Sequence, residues 1–283
     1  MPGKSGAGER GRPMLELRNV QKTFNPGTPN ETRPLQDLSV TIQDGDFTVV
    51  VGTNGSGKTT LQNAIAGAFF VDQGEILLSG INMTRWPEHR RAAYIGRVFQ
   101  NPFSGTAPDM TIAENLSLAM QRGFSRGLRW ALRSEAIAQF RDKVSRLDMG
   151  LEDRLDNLMG KLSGGQRQAL TLLMATWRRP DLLLLDEHTA ALDPKTAARV
   201  VELTQSIIER DHLTTIMVTH SMQQAVNMGN RLIMMHRGRI IHDFRGDEKR
   251  RLKAGDLLTL FNEVRRREQI DPSVAEMLRA VYI

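Results

Sequence analysis

A lysine and two threonines after a glycine-rich turn are the residues of this sequence whose types and spacing most clearly suggest chemistry. The stretch Gly52-Thr53-Asn54-Gly55-Ser56-Gly57-Lys58-Thr59-Thr60 fits the phosphate-binding pattern G-x-x-x-x-G-K-[ST]. Glycines let several backbone N–H groups point at phosphate oxygens, Lys58 would reach the β- and γ-phosphates, and the Thr59 hydroxyl would help to hold Mg²⁺. The pattern predicts binding of a nucleoside triphosphate. The alternative is an ordinary turn with a solvated lysine.

The neighbouring residues predict the elements that would present this loop. The β-branched run Phe47–Val51 is typical of a strand, and Leu61–Ala66 is typical of a helix. A strand, a loop and a helix in this order place the loop at a helix N-terminus, where the backbone dipole attracts anions.

Two adjacent carboxylates follow a second apolar run. Leu182–Leu185 predicts a parallel strand that is buried on both faces, and Asp186 and Glu187 come directly after it. Asp186 could hold Mg²⁺ through water, and Glu187 could orient or deprotonate an attacking water. Alternatively, the two residues are a common strand-to-loop dipeptide.

Two further positions could contact phosphate. Ser163-Gly164-Gly165 precedes the helical run Gln166–Thr176, so a second helix N-terminus with exposed N–H groups is expected there. His220 ends the predicted strand Thr214–Thr219, and ligands bind at the carboxyl ends of strands in open α/β sheets. His220 is therefore either a γ-phosphate contact or an ordinary, partly buried histidine.

Composition limits the function classes. The chain has 283 residues, 40% hydrophobic and 25% charged, which is typical of a globular protein. It has no cysteine, which excludes disulfides and thiolate metal sites and suits a cytosolic location. No apolar run approaches the roughly 20 residues of a bilayer-spanning helix. The net charge of +6 could indicate a nucleic acid or an anionic membrane surface, or simply solvated side chains, since the basic clusters are dispersed.

The remaining patterns predict the strands and helices that surround the loop. Residues 1–13 are expected to be a disordered lead-in. Met14–Val20 and Leu38–Ile42 predict strands, and further strands at Glu75–Leu78 and Ala93–Phe99 suggest an antiparallel sheet beside the nucleotide core. A helical insert is expected over about 102–160, with a capping box at Thr111 and Glu114 and a helix at Ser134–Leu147.

The C-terminal third returns to the α/β pattern. A helix is predicted at Pro194–Arg210, another at Ser221–Met228, and a hairpin turning at Arg237-Gly238. Two helices are expected at the end of the chain. Asp256 would cap the first, whose apolar face is Leu257, Leu260, Phe261 and Val264, and Asp271-Pro272 would begin the second.

From about Met14 to Asp243 the chain resembles the ATP-binding cassette (ABC) ATPases. The matching motifs are the signature at Leu162–Gln168, the Walker B strand ending at Asp186-Glu187, the Q-loop at Gln100, the switch histidine at His220 and the D-loop at Ala190–Asp193. The resemblance implies a P-loop NTPase fold: an α/β, RecA-like core, an antiparallel β subdomain and an inserted α-helical subdomain. It implies domain bounds of 14–243, with a helical extension at 244–283.

The resemblance also implies site roles. The catalytic residues would be Glu187, His220, Gln100 and Lys58. Mg²⁺ would be bound by Thr59, Gln100 and Asp186. ATP would be held by Thr53, Asn54, Gly55, Ser56, Gly57, Lys58, Thr59 and Thr60, and by Ser163, Gly164, Gly165, Gln166 and Asp193. Phe24 resembles the residue that stacks on adenine, although the family more often has tyrosine there and a core position is the alternative.

The resemblance further implies assembly and partners. In the family, two cassettes face head to tail, and the signature of one closes on the ATP of the other. This chain carries one set of motifs, so a homodimer with two ATP molecules is expected. One residue departs from the family pattern: His188 stands where proline usually follows the Walker B glutamate. It could be a spectator that faces solvent, which is the favoured interpretation, or it could tune Glu187 near neutral pH.

The favoured function is the ATPase subunit of an importer on the cytoplasmic face of the membrane. Separate transmembrane permease subunits would dock on the helical insert, and a solute-binding protein would deliver the solute. The stretch Glu187–Pro194 resembles a subgroup that takes up amino acids or related small organic solutes. The alternatives are a soluble ABC ATPase that acts on nucleic acid or the ribosome, and a regulatory nucleotide-binding module without turnover. No direct nucleic-acid contact is expected under the favoured reading.

Overall fold

The computed structural model describes residues 13–123 and 133–269, with side chains described as far as residue 264. Residues 1–12 of the expected lead-in and the helix expected at Asp271-Pro272 lie outside the described residues. The strands are β1 Pro13–Phe24, β2 Thr32–Gln43, β3 Phe47–Gly52, β4 Gln73–Leu78, β5 Ile81–Asn82, β6 Ile95–Val98, β7 Leu182–Asp186, β8 Thr215–Val218, β9 Arg231–His236 and β10 Arg239–Arg245. The helices are α1 Lys58–Ala66, α2 Glu88–Arg91, α3 Ile112–Met120, α4 Ser134–Ser145, α5 Gly164–Thr176, α6 Pro194–Asp211, α7 Met222–Asn227, α8 Gly246–Arg251 and α9 Ala254–Gln269.

A six-stranded sheet forms the core, in the order β10-β9-β3-β8-β7-β6. The strands β9, β3, β8, β7 and β6 are parallel to one another, and β10 pairs antiparallel with β9 at the edge. The loops after β3, β7 and β8 therefore leave the same edge of the sheet. This topology confirms the predicted P-loop NTPase core and the parallel strand formed by the four leucines.

A second, four-stranded antiparallel sheet has the order β2-β1-β4-β5. The prediction for Glu75–Leu78 is confirmed, because β4 pairs antiparallel with β1. The prediction for Ala93–Phe99 is wrong in its sheet: Ile95–Val98 forms β6, which pairs in parallel with β7 at the edge of the core sheet. A short apolar run predicts that a strand forms, but the strand with which it pairs depends on packing against distant residues.

The alternation of side chains along β7 divides them between two hydrophobic cores. Leu182 and Leu184 pack in the core shared with the antiparallel sheet and α1. Leu183 and Leu185 pack on the opposite face of the sheet, among side chains of α5, α6 and α9. All four are fully buried. The strand is apolar on both faces because both faces are covered.

The helices α3 and α4 have a separate core, to which α5 also contributes. As predicted, a capping box begins α3: the Thr111 N–H donates to Glu114 Oε2 at 2.7 Å, and the Glu114 N–H donates to Thr111 Oγ1 at 3.2 Å. These bonds satisfy N–H groups that a helix start leaves without partners. Ile112 and Phe140 are among the side chains that fill this core.

The C-terminal hairpin is confirmed as β9 and β10. The predicted position of Asp256 is corrected: α9 begins at Ala254, so Asp256 is its third residue, and its carboxylate accepts from the Lys253 N–H at 2.9 Å. Leu257 and Phe261 are buried against the core sheet, as the apolar stripe predicts. Within the described residues, the helices lack the combination of length and apolar character that crossing a membrane requires.

Candidate nucleotide site

The glycine-rich loop leaves β3 and enters α1 through left-handed backbone. Gly55 has φ of 76° and Gly57 has φ of 100°, which a residue with a side chain adopts only under strain. A Cβ atom at Gly57 would also collide with the carbonyl oxygen of Pro34. Position 57 therefore needs glycine for both its conformation and its surroundings.

The start of α1 offers uncapped backbone N–H groups. Among the described residues, no side chain caps this helix at Gly57, and its first turn contains no acidic residue. The first N–H groups of a helix have no partner within it, so acceptors must come from elsewhere. A triphosphate would supply them, and the helix start therefore fits a polyanion.

Lys58 lies within the loop and is 5% exposed. Its ammonium donates to the carbonyl oxygens of Gly52 at 2.9 Å and Thr53 at 3.1 Å. Burial lowers the pKa of Lys58, while the nearby charges of Glu187 and Asp186 raise it. The positive charge thus sits inside the loop, close to the carboxylates that follow β7.

Asp186 is the last residue of β7 and is 8% exposed. Burial raises its pKa, and the positive charges of Arg97, Lys58 and His220 oppose that rise. Nowhere in the described ranges do three or more His, Cys, Asp or Glu side chains meet as a metal cluster. Mg²⁺ is commonly held by one or two carboxylates together with substrate phosphates and waters, so the carboxylate of Asp186 fits a site of that kind.

Glu187 is a non-glycine residue in left-handed backbone, with φ of 43°. Its N–H donates to the carbonyl oxygen of Val218 on β8 at 3.0 Å, which ties the turn to the neighbouring strand. Strained backbone of this kind costs about 1–3 kcal/mol and persists where the surroundings enforce it. Here it turns the glutamate side chain out of the strand line.

Both carboxylate oxygens of Glu187 have partners. His220 Nε2 lies 2.5 Å from Oε1, and Gln100 Nε2 donates to Oε2 at 3.3 Å. The Glu187 side chain is 11% exposed, whereas that of His220 is 48% exposed. The structure therefore brings together three of the predicted catalytic residues, which come from the loops after β7, β8 and β6.

His188 does not face solvent, so the favoured interpretation of this residue is wrong. It is 2% exposed, and its Nε2 lies 3.0 Å from Thr204 Oγ1 on α6. The Thr204 hydroxyl donates to the Val200 carbonyl at 2.7 Å, so the imidazole must donate to that hydroxyl through Nε2. Burial lowers the pKa of His188 to about 4, and the ring is therefore neutral at pH 7 rather than a charge that tunes Glu187.

This burial predicts a pH-dependent contribution to stability. The native pKa of about 4 lies below the ordinary 6.5, so the unfolded chain binds a proton first as the pH falls. Relative to a His188→Gln variant, the wild-type free energy of unfolding should fall between pH 6.5 and pH 4, by up to about 3 kcal/mol. Urea unfolding at several pH values measures this difference. The exposed His89→Gln variant should follow the wild type, and a parallel course for His188→Gln would contradict the prediction.

The signature residues form the cap of α5. Ser163 Oγ accepts from the Gln166 N–H, and Gln166 Oε1 accepts from the Ser163 N–H, both at 3.3 Å. A Cβ atom at Gly165 would collide with the Thr196 side chain at the start of α6. That helix is capped by the D-loop residue Asp193, whose Oδ1 accepts from the Thr196 N–H at 3.1 Å. The signature and the D-loop of one chain are therefore packed side by side.

Phe24 is the last residue of β1. It is half-buried, and its ring meets that of Phe69 edge-on at 5.2 Å between centroids. The ammonium of Lys22 lies 5.4 Å from the centroid of Phe24. The partial exposure leaves the ring accessible and separates Phe24 from the fully buried core positions.

Sequence reasoning missed several residues that support the site. Gln62 donates to the carbonyl of Leu185 at 2.8 Å, just before Asp186, and Gln224 binds the threonines beside Glu187 and His220. Arg97 contributes positive charge near Asp186. These side chains belong to no motif with a fixed spacing, so only their positions in the fold identify them.

A family model described as ABC transporter matches residues 35–190 of this chain, which is more than half of its length. The chain belongs to the ABC transporter ATP-binding family. A protein of Clostridioides difficile named tyrosine transport ATP-binding protein is 42% identical over 250 residues, covering 88% of this chain and 98% of that protein. The lipoprotein-releasing system ATP-binding protein LolD 1 of Caulobacter vibrioides is 34% identical over 228 residues, covering 78% and 92%.

Solved ABC cassettes share the fold. The dimeric post-hydrolysis state of the cassette MJ0796, bound to ADP and phosphate, matches with a TM-score of 0.71 and 27% identity, covering 82% of this chain and 98% of that one. The chain is accordingly an ATPase, the ATP-binding subunit of a transporter. Cassettes of this family form dimers and work with transmembrane components.

Proposed function

We propose that this ABC ATPase powers the import of amino acids or related small organic solutes. The observation that carries the proposal is the 42% identity to the tyrosine transport ATP-binding protein, which extends over 98% of that protein. The sequence of Glu187–Pro194, which resembles that of a subgroup taking up such solutes, supports the same solute class. The lipoprotein-releasing relative shows that the family also serves other cargoes, and its identity is lower, at 34%.

The phosphate loop would hold the triphosphate. The uncapped N–H groups at the start of α1 would bind phosphate oxygens, and Lys58 would exchange its two carbonyl partners for the β- and γ-phosphates. Thr59 and Asp186 would hold Mg²⁺, assisted by Gln100; the ion, when bound, neutralises charge on the phosphates. Phe24 would stack on the adenine.

Glu187 would act on the attacking water. A carboxylate that is ionised can accept the water's proton or orient the water through a hydrogen bond. Gln100 and His220 fix both of its oxygens, so the side chain is already oriented before the reaction. His220, which is half exposed, would also contact the γ-phosphate.

Two copies of the chain would complete each site. Ser163, Gly164, Gly165 and Gln166 of one copy would close on the ATP held by the phosphate loop of the other, together with Asp193. The side-by-side packing of the signature and the D-loop supports a shared surface that closes as a unit. The assembly would be a homodimer with two ATP molecules at its interface.

The cassette would lie on the cytoplasmic face of the cell membrane, bound to permease subunits through the helical insert at about 102–160. A solute-binding protein would deliver the solute from outside. A domain spanning 14–243 would carry these functions, followed by a helical extension at 244–283. We expect no direct contact with nucleic acid.

Transport in proteoliposomes tests the proposal. The chain would be purified with its permease subunits and reconstituted with ATP and Mg²⁺ on the cassette side. Labelled L-tyrosine and the solute-binding protein would be on the other side. ATP-dependent movement of tyrosine toward the cassette side is expected, and the Glu187→Gln complex should give none. Movement away from the cassette side, measured with the label loaded on that side, would identify an exporter. Failure to move any of the twenty amino acids would refute the import of amino acids.

A further inference from the structure

A side-chain amide joins the two loops that carry Glu187 and His220. Gln224 is the third residue of α7, and its Nε2 donates to Thr189 Oγ1 at 3.0 Å. Its Oε1 accepts from Thr219 Oγ1 at 2.8 Å. Thr189 is 7% exposed and Thr219 is 4% exposed, so both hydroxyls depend on protein partners.

The direction of each bond follows from the neighbouring contacts. The Ser221 N–H donates to Thr219 Oγ1 at 3.1 Å, which leaves the proton of that hydroxyl for Gln224 Oε1. The amide nitrogen of Gln224 then faces Thr189, whose oxygen accepts. The backbone that carries this side chain is also held in place, because the backbone N–H of Gln224 donates to Ser221 Oγ, the cap of α7, at 3.3 Å.

Each threonine is tied to a catalytic loop. Thr189 lies in the turn that begins at Glu187, where the Ala190 N–H donates to the Glu187 carbonyl at 2.9 Å. Thr219 immediately precedes His220, and its N–H donates to the Val50 carbonyl of β3 at 3.3 Å. A single amide therefore connects the turn after β7 to the loop after β8.

This connection lies beside the pair of side chains, Glu187 and His220, whose separation should affect the rate of hydrolysis most. His220 Nε2 and Glu187 Oε1 are 2.5 Å apart, and Glu187 occupies left-handed backbone that its surroundings must enforce. A displacement of about 1 Å in reacting groups can lower a rate by about 10²-fold. We propose that Gln224 is a positioning residue that keeps Glu187 and His220 in register by bridging Thr189 and Thr219.

The chemistry of the bridge predicts which replacement preserves it. Alanine at position 224 removes both bonds. Glutamate has the same length and can accept from both threonine hydroxyls, since each hydroxyl can rotate its proton toward a carboxylate. Gln224→Glu should therefore keep the bridge, whereas Gln224→Ala should lose it. Gln223 is an adjacent, exposed glutamine on the same helix and serves as the matched control.

The test is steady-state ATP hydrolysis by the full chain with Mg²⁺. Gln224→Ala should lower kcat on the order of 10-fold or more, with the KM for ATP within about two-fold of wild type. Gln224→Glu should restore most of the loss, and Gln223→Ala should match the wild type. Thermal unfolding of all four proteins shows whether the fold is retained.

The outcomes separate this inference from the roles on which it rests. Equal kcat values for Gln224→Ala and Gln223→Ala would overturn it. So would a loss in Gln224→Ala that Gln224→Glu does not restore, or one that appears with a lowered melting temperature and a raised KM. Glu187→Gln and His220→Ala are measured in parallel: normal turnover in those variants would refute the proposed catalytic roles themselves.

Discussion

Glu187→Gln should lower ATP turnover by roughly 10²–10⁴-fold and leave ATP binding intact, as expected when a general base is lost. The replacement has the same length and can still accept from Gln100, whose Nε2 lies 3.3 Å from Oε2. What it removes is the negative charge that would take a proton from water. Single-turnover hydrolysis and equilibrium binding of ATP separate the two effects. Near-normal turnover would defeat the assignment of Glu187.

The same variant should reveal the dimer. If hydrolysis normally reopens the interface, blocking it should let ATP hold two copies together, and light scattering should report twice the monomer mass. The exposed Glu75→Gln variant on β4 should behave like the wild type in both assays. A Glu187→Gln protein that stays monomeric in saturating ATP would count against the shared site.

Arg91→Met should lower the free energy of unfolding by about 3 kcal/mol or more. Arg91 is 1% exposed, and its guanidinium donates to four carbonyls, those of Trp86, Ala64, Ile65 and Thr84, at 2.8–3.1 Å. Burial lowers its pKa to about 10, so it stays charged at pH 7, beside the negative end of the α1 dipole. Removing the guanidinium takes a donor from each of these four carbonyls, of which that of Ala64 keeps the Gly67 N–H. Urea or thermal unfolding measures the loss.

The neighbouring arginine is the matched control. Arg90 is exposed, and its guanidinium lies 3.8 Å from the Trp86 ring centroid, a contact worth about 0.5–1 kcal/mol at such a site. Arg90→Met should therefore cost about 1 kcal/mol or less. Arg91→Lys keeps the charge without the planar fork and should fall between the two. Equal losses of unfolding free energy for Arg91→Met and Arg90→Met would show that the buried hydrogen bonds of Arg91 add no stability beyond that of an exposed arginine.

The elements that were predictable from the sequence are those specified by local patterns. The strand before Gly52, the leucine strand before Asp186 and the capping box at Thr111 each depend on residues within a few positions. The positions of Glu187 and His220 after predicted parallel strands led us to expect both near the γ-phosphate. Their 2.5 Å separation is consistent with that expectation.

The errors share one physical cause, which is that burial and pairing depend on distant residues. His188 is buried because Thr204 of α6 lies over it, 16 residues along the chain. The strand at Ile95–Val98 joined the core sheet because β7 offered it a free edge. Gln224 was overlooked because a glutamine between two threonines has meaning only when the loops after β7 and β8 are already adjacent.

The placement of α5 has a mechanical consequence. Leu172 and Ala175 pack in the core beneath the sheet, whereas Ala169, Leu170 and Leu173 pack with α3 and α4. The helix α5 thus contributes side chains to two separate hydrophobic cores, and Ser163 caps its N-terminus. A displacement of α3 or α4 would therefore act on α5 and, through Leu172 and Ala175, on Leu183 and Leu185 of β7. The helix α5 thereby connects α3 and α4 to Ser163, the signature residue at its N-terminus.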